Sequence, residues 1–115
     1  MSVNRHRGEV AAELDGRTYR LCLTLGALAE LETAFGVDDL GALAERFGTG
    51  RLSARDLVRI IGAGLRGGGS DISDEAVAAM RTPDGVTGFA RIVGELLVAT
   101  FGGEAATRPP VPQEA

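Results

Sequence analysis

At 115 residues, with 44% hydrophobic and 24% charged residues, the chain has the length and make-up of one globular domain, which excludes wholesale disorder. Its formal net charge of −4 argues against a general nucleic-acid binder, because such proteins carry a basic surplus to displace counterions. No apolar run approaches the ~20 residues of a membrane helix and no charged-then-apolar leader opens the chain, so a protein that stays in the cytoplasm of its producing cell is expected.

Residues 1–7 are polar and predict a flexible arm, followed by a single globular domain over 8–102. From Gly8 the pattern alternates, with Val10, Ala12 and Leu14 on one side and Glu9 and Glu13 on the other. Asp15-Gly16 then supplies two successive positive φ angles, the requirement of a tight two-residue hairpin. Pairing Leu14 with Arg17 sets Ala12 opposite Tyr19 and Val10 opposite Leu21, so both strands of a hairpin over 8–24 share one apolar face. On the polar face Arg20 lies diagonal to Glu9 and Glu13.

Thr24 ends the second strand and can cap a helix over 25–35, whose stripe is Leu25, Leu28, Leu31 and Phe35, with Gly36 at the left-handed C-terminal position. One residue thus serves both elements, and a sheet too small to stand alone acquires a helix that buries its apolar face. A second helix is predicted over 39–47, with Leu40, Leu43, Ala44 and Phe47 inward. The third, 54–65, is marked by Ser53 with Asp56 three residues on, flanked by Leu52 and Leu57 as a hydrophobic staple. After Gly67-Gly68-Gly69, which reads as a flexible hinge, Ser73 repeats the cap for a short helix over 74–80. Thr82-Pro83 suits a cap with proline in the first turn of a last helix over 83–101, carrying Val86, Phe89, Ala90, Val93, Leu97 and Phe101. Residues 103–115 hold too little apolar content to pack and predict a disordered tail. The expected fold is mainly α, about five helices packed as one domain with a small N-terminal antiparallel β-hairpin.

No constellation carries chemistry. Cys22 and His6 are the chain's only cysteine and histidine, too few for an internal disulfide or a structural zinc site. "GLRGGGSD" lacks the Gly-Lys-Ser/Thr ending and the preceding strand of a phosphate loop. "DISDE" lacks the spaced acids and distal glutamate of a calcium loop, and acids at a helix start already suit the helix dipole. No Gly-x-Ser-x-Gly elbow occurs. Neither catalysis nor a metal or cofactor is expected. One pattern suggests binding: Arg55, Arg59 and Arg66 share one side of the third helix, opposite Leu57, Ile60, Ile61 and Leu65. Two readings stay open, a solvated helix face and a docking stripe for an acidic partner or phosphates. A helix-turn-helix DNA-binding regulator is a weaker alternative, since "FGTGRLS" exceeds that motif's three- or four-residue turn.

The strings "NRHRGEV…LDGRTYRLCLTLGALAELETAFGVDDL" and "GRLSARDLVRIIGAGLRGGG" resemble a small protein family encoded in bacterial gene transfer agent clusters and related prophages, over roughly Val3 to Gly102. The resemblance is to the tail-assembly-chaperone gene preceding the tape measure gene; some labels of the family describe tail tube components. It implies a non-enzymatic chaperone that coats the tape measure protein, recruits tail tube subunits and can be absent from the finished particle. The alternative it leaves is a structural tail component, a tail tube or tail completion protein. Expected docking surfaces are the Arg55, Arg59 and Arg66 face and the hairpin edge with Glu9, Glu13 and Arg20. Self-association is a further possibility for such surfaces.

Overall fold

The described residues, 8–102 of a computed structural model, form two strands followed by five helices: β1 (Glu9–Leu14), β2 (Arg17–Cys22), α1 (Leu25–Phe35), α2 (Leu40–Gly48), α3 (Ala54–Gly67), α4 (Asp74–Ala78) and α5 (Gly85–Phe101). The expected arm over 1–7 and tail over 103–115 lie outside the described residues. The hairpin takes the anticipated register, with Leu14 opposite Arg17, Ala12 opposite Tyr19 and Val10 opposite Leu21. Asp15 (φ 53°) and Gly16 (φ 75°) both sit in the left-handed region, as a two-residue turn of matching twist requires. The turn is also held from outside. Asp15 N–H donates to the Arg81 carbonyl (2.8 Å), and Arg81 N–H donates to Asp15 Oδ1 (3.0 Å).

Local chemistry sets the helix ends. Ala27 N–H donates to Thr24 Oγ1 (3.1 Å), and Gly36 (φ 69°) closes α1 with Val37 N–H returning to the Glu32 carbonyl. Ala42 N–H donates to Asp39 Oδ1 (2.7 Å) to start α2. The Ser53–Asp56 capping box is reciprocal, with Asp56 N–H to Ser53 Oγ at 3.1 Å and Ser53 N–H to Asp56 Oδ2 at 3.0 Å. Ser73 caps α4 through Ala76 N–H (3.2 Å). The start of α5 departs from expectation. Thr82 closes a turn with Gly85 (φ 60°), accepting Gly85 N–H on its carbonyl and donating its hydroxyl to the Gly85 carbonyl. Pro83 therefore lies in that turn, and the helix begins at Gly85.

Helix α3 is the central element, packed against β2, α1, α4 and α5. Ile60, Ile61, Ala63 and Leu65 are fully buried and meet Val10, Leu14 and Leu21 of the hairpin, Leu28 and Leu31 of α1, and Val93 and Leu96 of α5 in one core. Ala90 and three large side chains assigned inward by periodicity face solvent instead, the large ones being Leu25 (78% exposed), Leu40 (41%) and Val86 (77%). Each of the three large ones stands at the first or second position of its helix. At 100° per residue Leu25 is roughly 110° from the midline of the buried Ala27, Leu28 and Leu31, so the packed neighbours cannot cover it.

Helix α3 runs two residues past its expected end because its last turn packs on β2. A Cβ at Gly67 would collide with the Cys22 carbonyl oxygen, and one at Gly68 with the Arg20 carbonyl oxygen. Gly67 and Gly68 thus serve a close backbone approach; the hinge reading gives way at these two positions to packing. Only Gly69 has the left-handed φ (106°) of a chain reversal.

Candidate functional site

Each arginine expected on the α3 face has a different fate. Arg55 is exposed and its guanidinium meets no polar partner among the described residues. Arg59 is half-buried and reaches back to the Ala34 carbonyl at 3.5 Å. Arg66 is an internal tie: Nη2 donates to Glu30 Oε1 (2.6 Å), and Nη1 donates to the Ile72 carbonyl (2.7 Å) and lies 3.1 Å from Asp74 Oδ1. Glu30 above all, and Asp74 after it, hold the guanidinium still further toward its charged form against the opposing effect of burial. Arg66 thereby joins α1, α3 and the start of α4.

The hairpin also redistributes the expected site. Arg20 turns from the two glutamates, its Nε and Nη2 donating to the Gly68 carbonyl at 3.4 and 3.3 Å. Hydrogen-bonded pairs alternate from the turn outward, so Ala11 and Glu13 direct their backbone groups to the free side of β1, and Thr18, Arg20 and Cys22 to that of β2. The α3 terminus occupies the β2 side at Arg20 and Cys22. Ala11 and Glu13 make no outward backbone hydrogen bond among the described residues. Glu13 is exposed and Glu9 half-buried beside this β1 edge. The β1 edge at Ala11 and Glu13 borders a depression shared with Thr82, Pro83, Asp84, Arg91 and Glu95.

Two features were not legible from spacing. Arg46 stacks over the Phe35 ring (5.3 Å to its centroid) and donates to Asp56 Oδ2 (3.1 Å), tying α2 to the α3 capping box. Asp56 is buried, which by itself raises its pKa, but the Ser53 N–H and the Arg46 guanidinium outweigh burial and hold the carboxyl below its usual range. A lowered folded pKa means stability present above the unfolded value of ~3.9 and lost as pH falls through the folded one. Asp56→Asn should therefore lower the unfolding free energy by about 1 kcal/mol at pH 7, with a smaller deficit at pH 3, in urea titrations at both pH values. A deficit that is the same at both would assign the effect to something other than the carboxylate charge.

The second feature is an apolar cleft of about 300 Å³ between α3, α4 and α5, lined by Leu57, Val58, Ile61, Met80, Val86 and Phe89 among others. Its lining comes from three separate helices, so no single helical stripe announces it. Among the described residues no group of three or more His, Cys, Asp or Glu side chains could hold a metal, and no helix is long and apolar enough to cross a membrane. The arrangement offers surfaces: a strand edge with unpaired backbone groups, an apolar cleft and exposed arginines.

A family model described as "Phage tail tube protein, GTA-gp10" matches residues 7–103. No curated protein and no solved structure matches the chain.

Proposed function

We propose, since the chain belongs to the phage tail tube protein family GTA-gp10, that it is a non-enzymatic structural component of a phage-type tail, working by adhesion to other polypeptides. The family match across residues 7–103 carries this reading. The surfaces are compatible with it, since tail assembly needs faces for neighbouring subunits and no reactive centre. Arg55 and the β1 edge around Glu9 and Glu13 are the docking surfaces we retain from the sequence pattern.

One observation favours a second reading, an assembly chaperone that holds the tape measure protein in the producing bacterium and recruits tube subunits. The sheet has two strands, whereas a ring-forming tube subunit normally needs a larger β-sandwich or barrel. Quantitative mass spectrometry of purified particles separates the two. A stoichiometric amount of this chain, comparable to the other tail proteins, is the outcome expected of a structural component. Absence from particles, with the chain bound to tape measure protein in the producing cell, would reject the structural role and establish the chaperone.

A further inference from the structure

Residues that line the cleft between α3, α4 and α5 have arginines as chain neighbours. Arg51, Arg55 and Arg81 directly adjoin the lining residues Leu52, Ala54 and Met80 in the chain. All three arginines are exposed, and their guanidinium groups make no hydrogen bond or ion pair among the described residues. The remaining described arginines are engaged: Arg17 on the Tyr19 ring, Arg20 and Arg59 on backbone carbonyls, and Arg46, Arg66 and Arg91 on carboxylates. In a chain of net charge −4, the described arginines whose guanidinium has no partner are thus all chain neighbours of residues that line one apolar depression. An occupant that suits it has an apolar side chain with carboxylates immediately beside it.

This chain displays such a feature on another element. Asp38, Asp39 and Leu40 are consecutive and all exposed at the start of α2. Asp39 Oδ1 accepts the capping bond from Ala42 N–H, and Gly41 adds no side chain to shield the leucine. Among the exposed large apolar residues described, Leu25, Leu40, Val86 and Val98, it is Leu40 that directly follows two exposed carboxylates.

We infer that the Asp38–Leu40 knob of one copy docks into the cleft of a second copy, Leu40 entering the apolar floor and the aspartates facing Arg51, Arg55 and Arg81. Knob and cleft are different patches, so the contact is head-to-tail and continues into a ring or filament unless two copies reciprocate. The choice of a second copy as occupant rests on the proposed structural role, because a tail tube repeats its subunits.

Sedimentation equilibrium of the full chain, from micromolar to about 500 µM, tests this at 50 and 500 mM NaCl. Association is expected at low salt, weakened about tenfold or more at high salt. Reversing the three arginines (Arg51→Glu, Arg55→Glu, Arg81→Glu) or the knob (Asp38→Arg with Asp39→Asn, which keeps a capping side chain) should each weaken self-association about tenfold or more. Mixing the two reversed proteins should restore it, because the acidic cleft then meets a basic knob. Leu40→Ala, a change at an exposed position, should weaken association with the melting temperature unchanged. A wild type that stays monomeric to 500 µM at low salt overturns the inference, as does association indifferent to both reversals or not restored by mixing. A monomeric chain found stoichiometrically in particles would remove this contact and leave the structural role standing. Self-assembly of a chain absent from particles would do the reverse.

Discussion

Gly67→Ala and Gly68→Ala are each expected to destabilise the domain by about 2–3 kcal/mol, through overpacking against β2, and to lower its melting temperature by roughly 10 °C or more. Helix propensity alone predicts the opposite sign at Gly67, a gain of about 1 kcal/mol for alanine inside a helix. Gly68 has φ −82°, so no backbone strain opposes a side chain there either. What decides is the carbonyl edge of β2: a Cβ at either position meets the Cys22 or Arg20 oxygen. The helix terminus must then lift from the sheet, withdrawing Leu65 from the core and releasing the Arg20 bonds to the Gly68 carbonyl. Gly69→Ala supplies the contrast, since an added Cβ would meet nothing nearer than Arg20 Nη2 at 4.0 Å and its cost comes from the left-handed φ alone, about 1 kcal/mol. Thermal melts of the three variants would retire the close-approach argument if the alanines at 67 and 68 proved neutral or stabilising.

Arg66→Glu carries the second large effect, an expected loss of about 2–4 kcal/mol. Removing the guanidinium leaves Glu30 and Asp74 facing one another without a cation and the Ile72 carbonyl without its donor. Asp74 Oδ1 is already buried, with Arg66 as its ion-pair partner, and the new carboxylate would stand beside it. Gly62 packs against the same oxygen, so the aspartate has little room to turn away on that side. Arg55→Glu should change stability by no more than about 0.5 kcal/mol, as expected of a surface residue without partners. Equal urea midpoints for the two variants would refute the stabilising tie through Arg66. The pair also bears on docking experiments: reversing Arg55, Arg59 and Arg66 together would confound binding with unfolding, whereas Arg55→Glu alone reports on binding.

The chemistry of the surface and the fold's architecture point in different directions about assembly. The family description speaks of a tail tube, while the molecule presents a two-stranded sheet on a helical cluster. A cleft-and-knob contact between copies would let a helical module propagate without strand-to-strand closure. The unpaired backbone groups of Ala11 and Glu13 on β1 take no part in that contact. Particle composition and solution assembly test these two ideas independently.

The hairpin, its register and nearly every helix start were legible in the residues because they depend on groups a few positions apart. Asp15-Gly16 meets the φ requirement of the turn by itself, and Thr24, Asp39, Ser53 and Ser73 each accept a backbone N–H three residues on. Only the packed chain determines which end of an apolar stripe finds a neighbour, so Leu40 stays exposed although its spacing matches Leu43 and Phe47. The same holds for Arg66, whose carboxylate partner Glu30 lies 36 residues away, and for Gly67 and Gly68, whose constraint is a strand far back in the chain. The cleft, too, exists because α3, α4 and α5 converge. Dihedral preferences and capping bonds are local and could be read in order along the chain; burial, close approach and charge pairing required the helices to be brought together first.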